Sequence, residues 1–206
     1  MEVKILKPSL SNHLEPSSLQ KMEEVETCYF KDETVSIKEK HLQMEDCLLE
    51  RIVMDPIDAE GSSFVNIVFE SCDLSNAKIG SSSIHQILFK NCKLIGTDFS
   101  ESSIQNVIFD TCDMSYSNFS LSKMRLVQIK DCKVMGSSFN DVKMQNMILE
   151  ESIFTECEFL HTSLKNIDFS GCSIEGMKTS YEDIRGIIVD ERGALAVATL
   201  LGIEIR

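Results

Sequence analysis

The chain has 206 residues, with 33 acidic and 20 basic side chains, a formal net charge of −13 and 43% hydrophobic residues. That length and apolar fraction suit a single domain with a real core, and three prolines and nine glycines exclude a collagen-like or low-complexity chain. The acidic excess argues against direct nucleic acid binding, where affinity comes mostly from Lys and Arg on phosphates; it suits solubility or a basic partner surface.

Residues 1–41 read as an N-terminal cap or irregular first coil. Met1 to Gln20 contain no apolar leader core, and no run of 18 apolar residues occurs anywhere. A soluble, cytoplasmic protein without a membrane segment is therefore expected, and its eight cysteines are expected as thiols. Cys28-Tyr29-Phe30 stand one residue out of the phase that follows, so this stretch is either a first coil over the N-terminal end or an arm.

From Leu42 the periodicity is neither two nor 3.6 but five. Every fifth residue from Phe64 to Ile174 is apolar, 23 positions in all. At the overall composition that has a chance on the order of 10⁻⁹ to 10⁻⁸. Two residues before each stands one that is small or moderately apolar, among them Cys72, Ala77, Ser82, Cys92, Thr97, Cys112 and Cys132. A five-residue unit with one large and one small inward residue makes one side of a square, and four sides close a coil of 20 residues. This pattern resembles the pentapeptide-repeat family, which implies an all-β fold: a right-handed quadrilateral parallel β-helix over residues 42–180, closed by a short C-terminal capping helix and strand.

Stacked coils place residue n over n+20. Glu70, Lys90, Asp110, Lys130 and Glu150 then alternate in sign, as do Asp73, Lys93, Asp113 and Lys133, which favours the correct register. Asn66, Gln86, Asn106, Asn146 and Asn166 form a corner amide ladder broken by Leu126, read as structural. The stacked cysteines read as small core residues, because no Cys-x-x-Cys and no Cys/His pair at ligand spacing occurs. Val68, Leu88, Ile108 and Ile148 point outward yet are apolar, with Gln128 and Asp168 interrupting. They are either strand-forming residues on a flat face or a contact stripe for a partner.

Residues 181–206 read as a C-terminal cap and dimerisation segment. Asp190 is placed to N-cap a helix through Leu201, with Ala194, Val197, Ala198 and Leu201 on one face and Gly202 as its stop. Ile203-Glu204-Ile205 alternates like a short strand. Ala194, Leu195, Val197, Ala198, Leu201, Ile203 and Ile205 are the expected dimer interface. A loop-free rod ending in Thr162 to Ser170 and Leu195 to Ile205 resembles the loop-free Qnr-type quinolone-resistance proteins within this family. That resemblance implies a homodimer joined at the C-terminus that mimics DNA and binds type II topoisomerases, DNA gyrase or topoisomerase IV, protecting them from quinolones.

Carboxylates standing in for phosphates are then required, and Asp98, Glu101, Asp141, Glu150, Glu151, Glu156 and Glu158 are the candidates. The alternative is a general protein-interaction scaffold with another partner. Catalysis is not expected: His13, His41, His85 and His161 are scattered, and no nucleophile pairs with a base. No cofactor and no metal are expected either.

Overall fold

The computed structural model describes residues 4–17, 24–38 and 40–204. Strands are β1 (Glu15–Pro16), β2 (Glu24–Glu26), β3 (Cys28–Lys31), β4 (Thr34–Ile37), β5 (Gln43–Glu50), β6 (Val53–Ile57), β7 (Ser63–Glu70), β8 (Ser83–Lys90), β9 (Ser103–Asp110), β10 (Lys123–Lys130), β11 (Lys143–Glu150), β12 (Glu158–Phe159) and β13 (Lys178–Thr179). Helices α1 (Tyr181–Ile184) and α2 (Glu191–Leu200) close the chain. The architecture is the expected right-handed β-solenoid with a short capping element. The main sheet runs β1-β3-β5-β7-β8-β9-β10-β11, entirely parallel, and from β5 onward each residue pairs with the one 20 later.

The five-residue period becomes a coil through the corners. From Asp46 to Gly176 every fifth residue has φ near +60°, Pro56 excepted, because the proline ring fixes φ near −65°. Asn and Gly accept this left-handed conformation readily; Leu121, Leu126 and Tyr116 hold it at a cost of about 1–3 kcal/mol each. Gly136 meets two demands at once. It has φ +67°, and the Tyr116 ring lies where its Cβ would stand, 2.8 Å away.

Inside, the large residues stack into columns. Phe69, Phe89 and Phe109 lie parallel at 4.9 and 5.1 Å, and Phe99, Phe119, Phe139 and Phe159 at 4.8 to 4.9 Å. These are the coil rise of a parallel sheet, and the two columns meet edge to face. The small inward positions do more than save space. Thr97, Ser117, Ser137 and Thr162 each donate a hydroxyl to the carbonyl 23 residues earlier, at 2.6 to 2.9 Å. Cys72, Cys92, Cys112 and Cys132 aim their thiols at the equivalent carbonyls at 3.4 to 3.5 Å. The interchange of Cys, Ser and Thr thus follows from one shared donor geometry as well as from size.

Burial pushes the Cys47 thiol up to about 11 and Cys157 to about 12. Hydrogen bonds with neighbouring thiols, then burial, also raise Cys72 and Cys112. Cys92 is lowered by the bonds from Cys112 and Cys72, yet it is as buried as the others. Access rather than ionisation sets its reactivity.

The N-terminal part is both a first coil and an arm. Strands β2, β3 and β4 stack on β5 and β6 with a 19-residue offset, as in Phe30 over Leu49, and the offset returns to 20 at Ile37 over Ile57. The single residue by which Cys28-Tyr29-Phe30 departs from phase is therefore a short coil, and Phe30 is fully buried. Before it, residues 6–11 run along the outside of the rod, and β1 pairs with β3 at the end of the sheet. Residues 1–3, 18–23 and 39 of this segment lie outside the described residues.

At the other end the sequence and the left-handed corners keep their phase, but one turn changes. Residues 163–170 turn at 165–166, whereas β11 runs straight through its corner as one strand. Among the described residues, β11 pairs only with β10 and ends the sheet. Of the 23 periodic apolar positions only Met144 and Leu149, both in β11, are less than fully buried.

Candidate functional site

The corners organise the surface. Successive turns place corners at Asn66, Ser71, Asn76 and Ser81 before the next coil begins, and each heads a column of corners 20 residues apart. Asp98 and Glu158 lie on the face between the Asn76 and Ser81 corners, within the bridged column Asp58, Lys78, Asp98, Asn118, Ser138, Glu158 and Lys178. Glu101 and Asp141 occupy the Ser81 corner, and Glu156 occupies the Asn76 corner. These five of the predicted acidic residues share one side of the rod. Glu150 and Glu151 do not join them: they sit at the Ser71 corner, one corner before that of Glu156 and diagonally opposite that of Glu101 and Asp141, where Glu150 accepts a bond from Gln128 at 3.0 Å.

The five are not equivalent. Asp98 accepts from Asn118 at 3.1 Å and from the Ser100 N–H at 3.0 Å. Glu158 pairs with Lys178 at 2.9 Å, and that bond, then one from Asn140, holds its carboxyl below the usual carboxylate range. Asp141 faces His161 at 3.6 Å, and Glu101 and Glu156 are exposed. Their corner columns also carry apolar groups. Leu121 stands between Glu101 and Asp141 in one column, and Tyr116 shares the other with Glu156; Tyr116 is 60% and Leu121 58% exposed. Leu160, also exposed, closes the face beside them. Such a mixture of free carboxylates and apolar side chains fits contact with another macromolecule. Among the described residues no three His, Cys, Asp or Glu converge to hold a metal ion, and no helix is long and apolar enough to cross a membrane.

The central columns are paired as their alternating signs predict, though unevenly. Lys90 meets Glu70 at 2.8 Å, Lys93 meets Asp73 at 3.7 Å and Lys133 meets Asp113 at 3.6 Å, while Lys130 turns to Asp131 at 3.9 Å. The apolar stripe is not a uniform open surface. Val68, Leu88 and Ile148 are half-buried and Ile108 is only 5% exposed, in the stretch of rod over which the N-terminal arm runs.

In the C-terminal cap, Asp190 N-caps α2 by accepting from the Gly193 N–H at 2.9 Å. That bond, with one from Gly171, holds the Asp190 carboxyl below its usual range. Gly202, at φ +76°, ends the helix: its N–H donates to Thr199 and that of Ile203 to Ala198, at 3.0 and 2.9 Å. The packed face differs from the expected one. Ala196, Val197 and Leu200 lie against the core with Gly193 buried, whereas Ala194 is exposed, with Leu195 at 54%, Leu201 at 45% and Ile203 at 56%. Gly193 sets this rotation, because a Cβ there would stand 2.7 Å from Val189 Cβ. Ala198 is half-buried, and Ile205 lies outside the described residues. The helix thus caps the last coil with one stripe and leaves Leu195, Leu201 and Ile203 facing outward.

Comparison with known proteins agrees with the architecture. A family model described as Pentapeptide repeat region matches residues 62–139, and one described as Pentapeptide repeats, eight copies, matches residues 132–171. A search of curated protein sequences gave no significant match. Among solved structures, the fold is similar to a trypsin-treated form of QnrB1, a plasmid-mediated fluoroquinolone resistance protein (14% identity, 89% of this chain and 98% of that one covered, TM-score 0.41). It is also similar to HetL, a pentapeptide repeat protein involved in heterocyst differentiation regulation from the cyanobacterium Nostoc sp. strain PCC 7120 (9% identity, 81% and 86% covered, TM-score 0.35). With the two family matches spanning residues 62–171 without a gap, and the coil geometry following the same period, the chain belongs to the pentapeptide-repeat proteins.

Proposed function

We propose that this protein is a non-catalytic interaction rod that docks on type II topoisomerases, DNA gyrase or topoisomerase IV, through the side bearing Asp98, Glu101, Asp141, Glu156 and Glu158, and so protects them from quinolones. The observation that carries the reading is the interleaving of free carboxylates with exposed Leu121, Tyr116 and Leu160 on one side of a loop-free rod. A surface that binds DNA presents basic groups spaced for phosphates, and carboxylates along a rod answer those groups. The apolar side chains between them add contact area that a duplex lacks. Leu195, Leu201 and Ile203, left outward by the cap, are the groups through which a second copy joins, which places Asp141, Glu156 and Glu158 near the middle of a dimer.

Supercoiling and drug-induced cleavage assays test the proposal. At micromolar protein, rescue of gyrase or topoisomerase IV from a quinolone is expected, and it is lost in Glu101→Lys/Asp141→Lys/Glu156→Lys. Poisoned enzyme that shows no response to the wild-type rod removes the topoisomerase reading. A second reading, a scaffold for a different partner, is favoured by two observations: Asp98 and Glu158 are already bonded within the rod, and residues 61–140 carry equal numbers of acidic and basic side chains. Recovery of a different protein on the same face, lost in the same triple variant, would select it.

A further inference from the structure

The amide ladder at the Asn66 corner makes contacts that coil stacking does not require. Asn66 Nδ2 donates to the Ser9 carbonyl at 3.0 Å, and Asn66 Oδ1 accepts from the Ser9 N–H at 2.7 Å. One coil further, Gln86 Nε2 donates to the Lys7 carbonyl at 3.0 Å. At the next, Asn106 Oδ1 accepts from the Leu6 N–H at 3.3 Å. One coil in the opposite direction, the Asp46 carboxylate accepts from the Ser11 N–H at 3.1 and 3.2 Å. The same corner in four consecutive coils thus holds four positions of one extended segment, and all these contacts are to its main chain.

The chemistry explains the arrangement. A carboxamide carries the donor and acceptor of a peptide group, so Asn66 toward Ser9 reproduces the exchange made by a neighbouring strand. The ladder is pre-ordered for this role: Asn66 also donates to Asp46 at 2.9 Å and Gln86 to Asn66 at 3.4 Å. Side chains supply a second reading. Ile5, Pro8 and Leu10 are half-buried, whereas Leu6, Lys7 and Ser9 are exposed. Under the arm Asn106 and Ile108 are buried, while at matching positions in later coils Leu126, Gln128 and Ile148 are half-buried and Asn146 is exposed. Beyond Asn106 the column is interrupted by Leu126 before Asn146, so the amide track spans the coils on which the arm lies.

We propose that this corner is a binding track for an extended polypeptide, which it recognises through main-chain amides and apolar side chains spaced like Ile5, Pro8 and Leu10, and that the arm is its resident competitor. A partner with such a segment gains the track by displacing residues 5–11. The interaction is a variant of strand addition in which stacked carboxamides replace the edge strand.

The test uses full-length protein with a protease site within residues 18–23, nicked after purification so that residues 1–17 become a separate peptide. A fluorescent peptide of residues 4–14 should exchange into the nicked protein, and less readily into the intact chain, where the tethered arm competes. N-methylation of the Ser9 amide should weaken binding about tenfold, the scale of one to two net hydrogen bonds, while Leu6→Ala in the peptide should change it less than about twofold, because that side chain is exposed. Asn66→Leu in the rod should weaken it about tenfold, with the thermal transition confirming the fold. No exchange at millimolar peptide overturns the proposal, and so does equal binding of the N-methylated peptide, a result independent of any rod variant.

Discussion

The two ends of the rod solve the same problem in opposite ways. At the N-terminal end the chain satisfies itself: a 19-residue coil buries Phe30 and Val35, and an arm turns back to bond along the corner ladder. At the C-terminal end the sheet stops at β11, Met144 and Leu149 remain half-buried, and the cap helix turns Leu195 and Leu201 outward. A solenoid must cover both terminal faces of its core, and the difference is what motivates the proposal that a second copy completes the C-terminal end.

The largest expected effect compares a buried residue at each end. Phe30→Ala should cost about 3–5 kcal/mol, as for a fully buried Phe, whereas Met147→Ala in the half-buried β11 should cost about 1–2 kcal/mol in the monomer. Urea unfolding of both variants checks this. A Met147 loss that grows with protein concentration shows that a second copy covers β11. Next comes assembly itself: Leu201→Glu should halve the mass seen by light scattering, since it places a charge on an outward apolar group without touching the packed stripe of Ala196, Val197 and Leu200. A wild-type monomer would contradict the contrast between the ends. The smallest effect lies between them. Leu126→Asn should stabilise the rod by about 1 kcal/mol, because Asn tolerates the left-handed corner that Leu126 occupies at φ +56°. A thermal melt would measure it, and an unchanged transition would mean that the Leu126 side chain, half-buried, offsets the strain.

Much of this was legible in the residues. The inward columns, the 20-residue stacking and the Asp190 and Gly202 helix signals follow from period and local chemistry, which act over a few residues at a time. The helix face was harder to read, because apolar residues nearly surround α2 and the choice rests on the close approach of Val189 to Gly193. The candidate acidic residues were found by type, but their grouping needed the corners: Glu150 and Glu151 are neighbours in sequence of Glu156 and Glu158, yet one and two turns of the square carry them to different sides.

By itself, then, the sequence determined the coil. One large and one small inward residue every five positions leave the backbone few ways to bury both, and a rod of stacked squares satisfies all of them together. Only the tertiary structure decided how the surface is arranged. The arm lies on residues 35 to 100 positions away in sequence, and no period records such a contact. The open edge at β11 arises from a change of turn at 165–166 that leaves the hydrophobic pattern intact. Burial is encoded by side-chain type, whereas main-chain pairing between distant segments depends on the path the chain takes.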